Sequence, residues 1–150
     1  RCNSNTVRYL TVRTGCDVTP PKALAVNDML LMSFEGFLRF FPVWPPADDV
    51  SFAQLRAVGA FLVSGSLTSG VPSAIELQSE AGLACTFLSP WDAASVAPPA
   101  VTAGSTRTRV HVTRAVAPPA GAAGLVLWTF ETMVGETYTI ARSAAYSVSS

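Results

Sequence analysis

Enzymatic chemistry needs a base, a nucleophile or a carboxylate pair held in a fixed relation, and this chain offers few groups for any of them. His111 is the single histidine, so a Ser–His–Asp relay would have to run through it. It lies in Arg107-Thr-Arg-Val-His-Val-Thr-Arg114 and shares strand parity with Arg107 and Arg109, which predicts a solvent-facing strand residue rather than a general base. Gly65-Ser-Leu-Thr-Ser-Gly70 has glycines but no lysine and sits between strands, so it reads as a hairpin connection and not a phosphate loop. Glycosidases work with paired carboxyl groups. Asp48 and Asp49 fall in a proline loop, Glu76 and Glu80 on or just after a strand, and Glu131 and Glu136 around a turn, with nothing in their neighbours that enforces a pair. Glu35 stands apart, flanked by Phe34, Gly36 and Phe37. A carboxylate in such apolar company is expensive to ionise unless it has a partner or a task. Glu35 is therefore the one candidate contribution to an active site, and a cap or salt bridge at a helix end is the structural alternative.

Aromatic rings on β-modules can serve as sugar platforms. Trp128 shares parity with Val126 and Phe130 and reads as core. Trp44 and Trp91 stand beside prolines at strand ends, which makes them the candidate carbohydrate-binding residues, with packing on the proline rings as the alternative. Cys2, Cys16 and Cys85 include no CxxC and no histidine at ligand spacing, so neither a metal site nor a cofactor is expected. Cys2 and Cys16 flank an alternating strand, Thr6–Arg13. A disulfide between them would close a loop of about 15 residues and stabilise by about 3 kcal/mol. It would also point to an extracellular or secretory-pathway location. Two unpaired thiols, or a partner cysteine upstream, are the alternatives. Cys85, in Leu83–Leu88, reads as a small buried residue.

The elements that must position these residues are mostly strands. One helix is expected, capped by Thr19, begun by Pro20 and ended by Gly36, with Ala23, Val26, Leu30 and Phe34 along one stripe. Its polar residues are few, so it is expected to be buried on most sides and to need a partner to pack on. From Phe37 the pattern turns to short runs: Phe37–Phe41, Phe52–Val58, Ala60–Leu67, Ala74–Ser79, Leu83–Leu88, Thr106–Val112, Leu125–Glu131 and Thr137–Ile140. Gly59 predicts a bulge or sharp bend, and Ser69-Gly70 and Ala81-Gly82 predict turns. The expected fold is a mainly-β antiparallel sandwich of about seven to eight strands with one buried helix on its N-terminal side. Residues 1–36 are expected to belong with an upstream domain, 37–140 to form the sandwich and 141–150 to be a tail.

Composition sets the bounds. The chain has 150 residues, 49% of them hydrophobic and 13% charged, which excludes a highly charged disordered segment. Ten basic and ten acidic residues cancel, so no net field would hold the chain on nucleic acid or an anionic membrane. No apolar run approaches the roughly 18–20 residues of a membrane span. The start at Arg1, without Met or a leader, predicts a processed chain or part of something longer.

Five segments in order resemble the C-terminal region of glycoside hydrolases in and near family 95, the inverting α-L-fucosidase group. Asn27-Asp-Met-Leu-Leu-Met-Ser-Phe-Glu-Gly36 resembles the last barrel helix of that family. Phe37-Leu-Arg-Phe-Phe-Pro-Val-Trp-Pro45, Leu55-Arg-Ala-Val-Gly-Ala-Phe-Leu-Val63, the run from Cys85 to Pro90-Trp91, and Phe130-Glu-Thr-Met-Val-Gly-Glu-Thr-Tyr138 resemble its later motifs. The resemblance implies an (α/α)6 barrel upstream that carries the main catalytic apparatus, with this chain supplying the barrel's last helix and a C-terminal sandwich. Glu35 would then occupy an acidic position facing the barrel. Met32 stands where the family has Gln and Phe34 where it has His, and both departures count against catalysis. The leading reading is a non-catalytic accessory domain whose partner is the upstream barrel or another chain, without enzymatic activity by itself; its longer parent would be α-L-fucosidase-like, either an active glycoside hydrolase or a degenerate one. A structural or interaction module of an extracellular or cell-surface assembly, and a carbohydrate-binding module for polysaccharide or glycan, are the alternatives.

Overall fold

The computed structural model describes residues 20–91, 98–104, 106–115 and 126–143. The expected strand Thr6–Arg13 and the Cys2–Cys16 pairing lie outside the described residues. A single helix, α1 (Pro20–Leu30), leads into β1 (Leu31–Met32), which pairs antiparallel with β2 (Arg39–Phe40). The helix thus ends at Leu30 rather than at Gly36. Leu30 and Leu31 are both buried, and the chain changes from helix to strand between them because Leu31 pairs with Phe40. The Phe41 N–H donates to the Leu30 carbonyl at 2.8 Å and satisfies one of the helix-end acceptors. Phe34, expected on the buried stripe, lies instead in the connecting turn and is 67% exposed. Gly36, at φ 84°, supplies the left-handed residue of that turn.

The large sheet begins with the hairpin β3 (Val50–Ala57) and β4 (Phe61–Thr68). Gly59 and Ala60, both at positive φ, make its sharp turn. The bulge sits elsewhere, inside β3, where the register shifts between Phe52 and Leu55 and Gln54 takes φ 55°. After β5 (Val71–Pro72) come β6 (Ile75–Ser79), β7 (Cys85–Leu88), β8 (Ala100–Ala103), β9 (Arg109–Val110), β10 (Thr113–Arg114), β11 (Leu127–Phe130) and β12 (Thr137–Ala141). Seven strands form an antiparallel sheet in the order β3-β4-β6-β12-β8-β9, with β5 paired to β4. A second sheet runs β10-β11-β7, and Leu38 bridges to Phe87 in parallel at its other side. The strand expected over Thr106–Val112 shrinks to β9, which closes the large sheet; His111 and Val112 then cross over, and β10, just beyond the expected range, joins the small sheet.

Strict alternation decides what lies between the sheets. Ile75, Leu77 and Ser79 of β6 face inward while Glu76 and Gln78 face out. The core joins Phe52, Leu55, Val63, Tyr138 and Ile140 of the large sheet to Cys85, Phe87, Trp128 and Phe130 of the small one. One ring contact crosses the gap, Phe130 to Tyr138 at 5.3 Å centroid to centroid, and Phe130 also packs on Phe87 of its own sheet at 6.0 Å. The result is a mainly-β sandwich with one N-terminal helix packed against it through Leu30 and half-buried Val26.

Candidate functional site

Glu35 finds its partner within its own turn. Its Oε2 lies 2.8 Å from Nη2 of Arg39, four residues on, and the guanidinium sits 4.9 Å above the Phe37 ring. The pair is held by charge rather than by an aligned hydrogen bond, since neither Glu35 Oε2 nor Arg39 Nε has a hydrogen-bond partner. The apolar flanks that single Glu35 out in the sequence therefore surround an ion pair.

The remaining candidates are dispersed. Asp49 Oδ1 accepts from the Ser69 N–H at 2.7 Å, and Arg56 pairs with Glu80 at 2.7 Å on the exposed surface. Trp44 donates its indole N–H to the Asp48 carbonyl at 2.9 Å, and Trp91 donates to the Pro72 carbonyl at 2.8 Å. Both rings are half-buried and packed against the core. They share one end of the sandwich: Trp91 is tied to β5, Asp49 holds the turn before β5, and a side chain at Gly70 would meet Pro46. His111 is solvent-facing, as parity predicts, but in the crossover and not within a strand. Burial pushes the Cys85 thiol far above its ordinary range, which leaves it an unreactive packed group. Among the described residues, no three His, Cys, Asp or Glu side chains converge as metal ligands, and no helix is long and apolar enough to cross a membrane.

The opposite end of the sandwich has a different character. The Ser33 hydroxyl accepts from the Val58 N–H, the Glu80 N–H donates to the Ala60 carbonyl, and Gly82 packs on Val134. These contacts gather three turns and the β3–β4 hairpin, and at that end stand Phe34, Val58, Leu83, Met133 and Val134, from 52% exposed at Leu83 to 73% at Met133. Large apolar side chains exposed singly are ordinary; five gathered on adjoining turns are a candidate interaction surface.

Beneath it lies the reason for the motif Phe130–Tyr138. The Gly82 N–H donates to Ser79 Oγ at 3.0 Å, Ser79 and Thr132 hydroxyls meet at 2.7 Å, and Thr132 Oγ1 donates to the Leu83 carbonyl at 2.6 Å. Tyr138 accepts from the Met133 N–H through its hydroxyl, and Gly135 turns at φ 78°. Each of these motif residues is committed to holding the turn.

One feature escaped the sequence pattern. The bulge in β3 turns Ala53 and Gln54 outward together, and the outer sheet face carries a shallow hollow of roughly 530 Å³ lined by Ser51, Ser64, Ser66, Ser73, Glu76 and Thr139 among others. It offers hydroxyls and one carboxylate, so it can hydrogen-bond a polar ligand but holds no acid–base pair. Comparison with protein-family models and with curated proteins yields no match for the chain.

Proposed function

We propose that this chain is the non-catalytic C-terminal accessory β-sandwich of a glycoside-hydrolase-like protein, packing on and supporting an upstream (α/α)6 barrel. The observation that carries the reading is the apolar end. Phe34 lies near the end of the Asn27–Gly36 segment that resembles the barrel's last helix, and with Val58, Leu83, Met133 and Val134 it stands on a surface suited to a covering domain. The resembling segments agree with it, because the residues they contain serve folding: Glu35 is ion-paired, Cys85 is packed and Thr132 braces a turn. An intact mass and peptide map of the natural protein tests the proposal. Peptides from a helix-rich region before Arg1 are expected, and a natural terminus at Arg1 would remove it. A partner chain in an extracellular assembly would use the same surface.

The two tryptophans favour a second reading, a carbohydrate-binding module. Their indole N–H groups are fixed by backbone carbonyls at one end of the sandwich, which pre-orients both rings. Trp44→Ala or Trp91→Ala should abolish retention on polysaccharide in a chain that still folds, with the lowered melting temperature that follows from removing a half-buried ring packed on the core. Loss of stability without loss of retention would assign both rings to packing.

A further inference from the structure

Charge balances over the whole chain, ten acidic against ten basic, but not along it. From Ala93 to Phe130 there is no Asp or Glu, whereas Arg107, Arg109, His111 and Arg114 fall within eight residues. All four are exposed. Arg39 and Arg56 form ion pairs; among the described residues none of these four does. Topology places them on one side of the molecule, because β9 is the last strand of the large sheet and β10 the outer strand of the small one. The crossover between them therefore runs along the side where both sheets end. Beside it an open hollow of roughly 360 Å³ is lined by Pro98, Pro99, Arg109, Val110, His111 and Val112. Proline and valine carbons offer an apolar wall, and Arg109 and His111 offer N–H donors at its rim.

We infer that this side of the sandwich binds an acidic polysaccharide, with carboxylate or sulfate groups on the arginines and a sugar ring against the Pro98–Pro99 wall. Extended backbone advances about 3.3 Å per residue, so Arg109 to Arg114 spreads the positive groups over roughly 15 Å. That spread matches charges repeated along a linear chain better than a single small anion. Guanidinium groups bind planar oxyanions through paired N–H donors, and Arg is the residue suited to the task. A nucleic acid fits less well. No Trp, Tyr or Phe occurs between Pro98 and Ala115 to stack bases. The choice of a sugar scaffold rests on the reading of a glycan-directed parent; the charge geometry does not.

The test is a titration of the 150-residue chain with heparin, polygalacturonate, neutral dextran and poly(dT) over a series of salt concentrations. Heparin binding alone would assign sulfate as the anion recognised, and binding of both acidic polysaccharides would assign carboxylate as sufficient; dextran is expected to stay unbound. Arg109→Gln combined with Arg114→Gln should weaken binding about tenfold or more and flatten the log Kd against log salt slope by about one per arginine. Arg56→Gln, on the opposite edge strand, should change it less than about twofold. These exposed substitutions should leave the melting temperature in place. No binding of either acidic polysaccharide at low salt, an equal loss from Arg56→Gln, or tighter binding of poly(dT) would each overturn the inference. None of these results bears on the upstream barrel, which the peptide map tests separately.

Discussion

Thr132→Val is the most informative single substitution in the fold, because its hydroxyl sits in a relay whose direction is determined. The Leu83 carbonyl can only accept, so the one Thr132 proton goes to it at 2.6 Å. The 2.7 Å contact between Thr132 and Ser79 must then carry the Ser79 proton, while Ser79 accepts from the Gly82 N–H. Valine keeps the shape and removes both functions at once, so the Ser79 hydroxyl loses its acceptor and the Leu83 carbonyl its donor. Ser79 is fully buried and Thr132 nearly so. Leaving a buried polar group unsatisfied costs about 1–3 kcal/mol, and Leu83 lies at the open end, so the expected loss is about 2 kcal/mol. Ser79→Ala orphans the Gly82 N–H alone and should cost about 1 kcal/mol. In the double variant no Ser79 proton is left stranded, so its loss should fall short of the sum by about 0.5–1 kcal/mol. Urea unfolding of the four proteins at a common m-value measures this. A Thr132→Val loss below about 0.5 kcal/mol, or strict additivity, would refute the relay.

Three other outcomes follow from the same structure. A methyl group at Gly65 would come within 2.7 Å of Ile75 Cδ1, so Gly65→Ala should destabilise by about 1–3 kcal/mol, and adding Ile75→Val should restore part of it. The Cys85 thiol is held protonated by burial, whereas the unfolded chain ionises it near 9.0. The native state therefore binds the extra proton, and the Cys85 contribution should be full below pH 9 and decline above it by about 1.4 kcal/mol per pH unit, a slope missing in Cys85→Ala. If Cys2 and Cys16 are joined, the intact mass is about two hydrogens below that of the reduced chain; two alkylatable thiols there would end the pairing and the argument it lends to a secretory location.

The strands and their inward faces were legible because alternation is a local signal that the sheet preserves, as in Ile75-Glu-Leu-Gln-Ser79. The turn residues were legible for the same reason, since Gly59, Gly70 and Gly82 all take positive φ. The helix end was not. Leu31 and Met32 are good helix formers, and only pairing with Arg39-Phe40, later in the chain, draws them into a strand. Nor was the bulge legible: Gln54 adopts φ 55° without a glycine to announce it, and its neighbour Ala53 lines the outer hollow. The shortening of Thr106–Val112 to Arg109–Val110, and the switch of Thr113–Arg114 to the other sheet, hang on partners in β8 and β11, which no local pattern specifies. The apolar end is the clearest case. Phe34, Val58, Leu83, Met133 and Val134 are scattered in sequence, and the topology alone collects them.

Hydrogen exchange of the turns at that end, compared between the 150-residue chain and the natural-length protein, tests the accessory role most directly. The account predicts that amides at 33–36, 80–84 and 131–136 are slowed in the longer protein, while those at the Trp44 and Trp91 end exchange alike in both. Identical exchange at the apolar turns, with the upstream region folded and present, would contradict it.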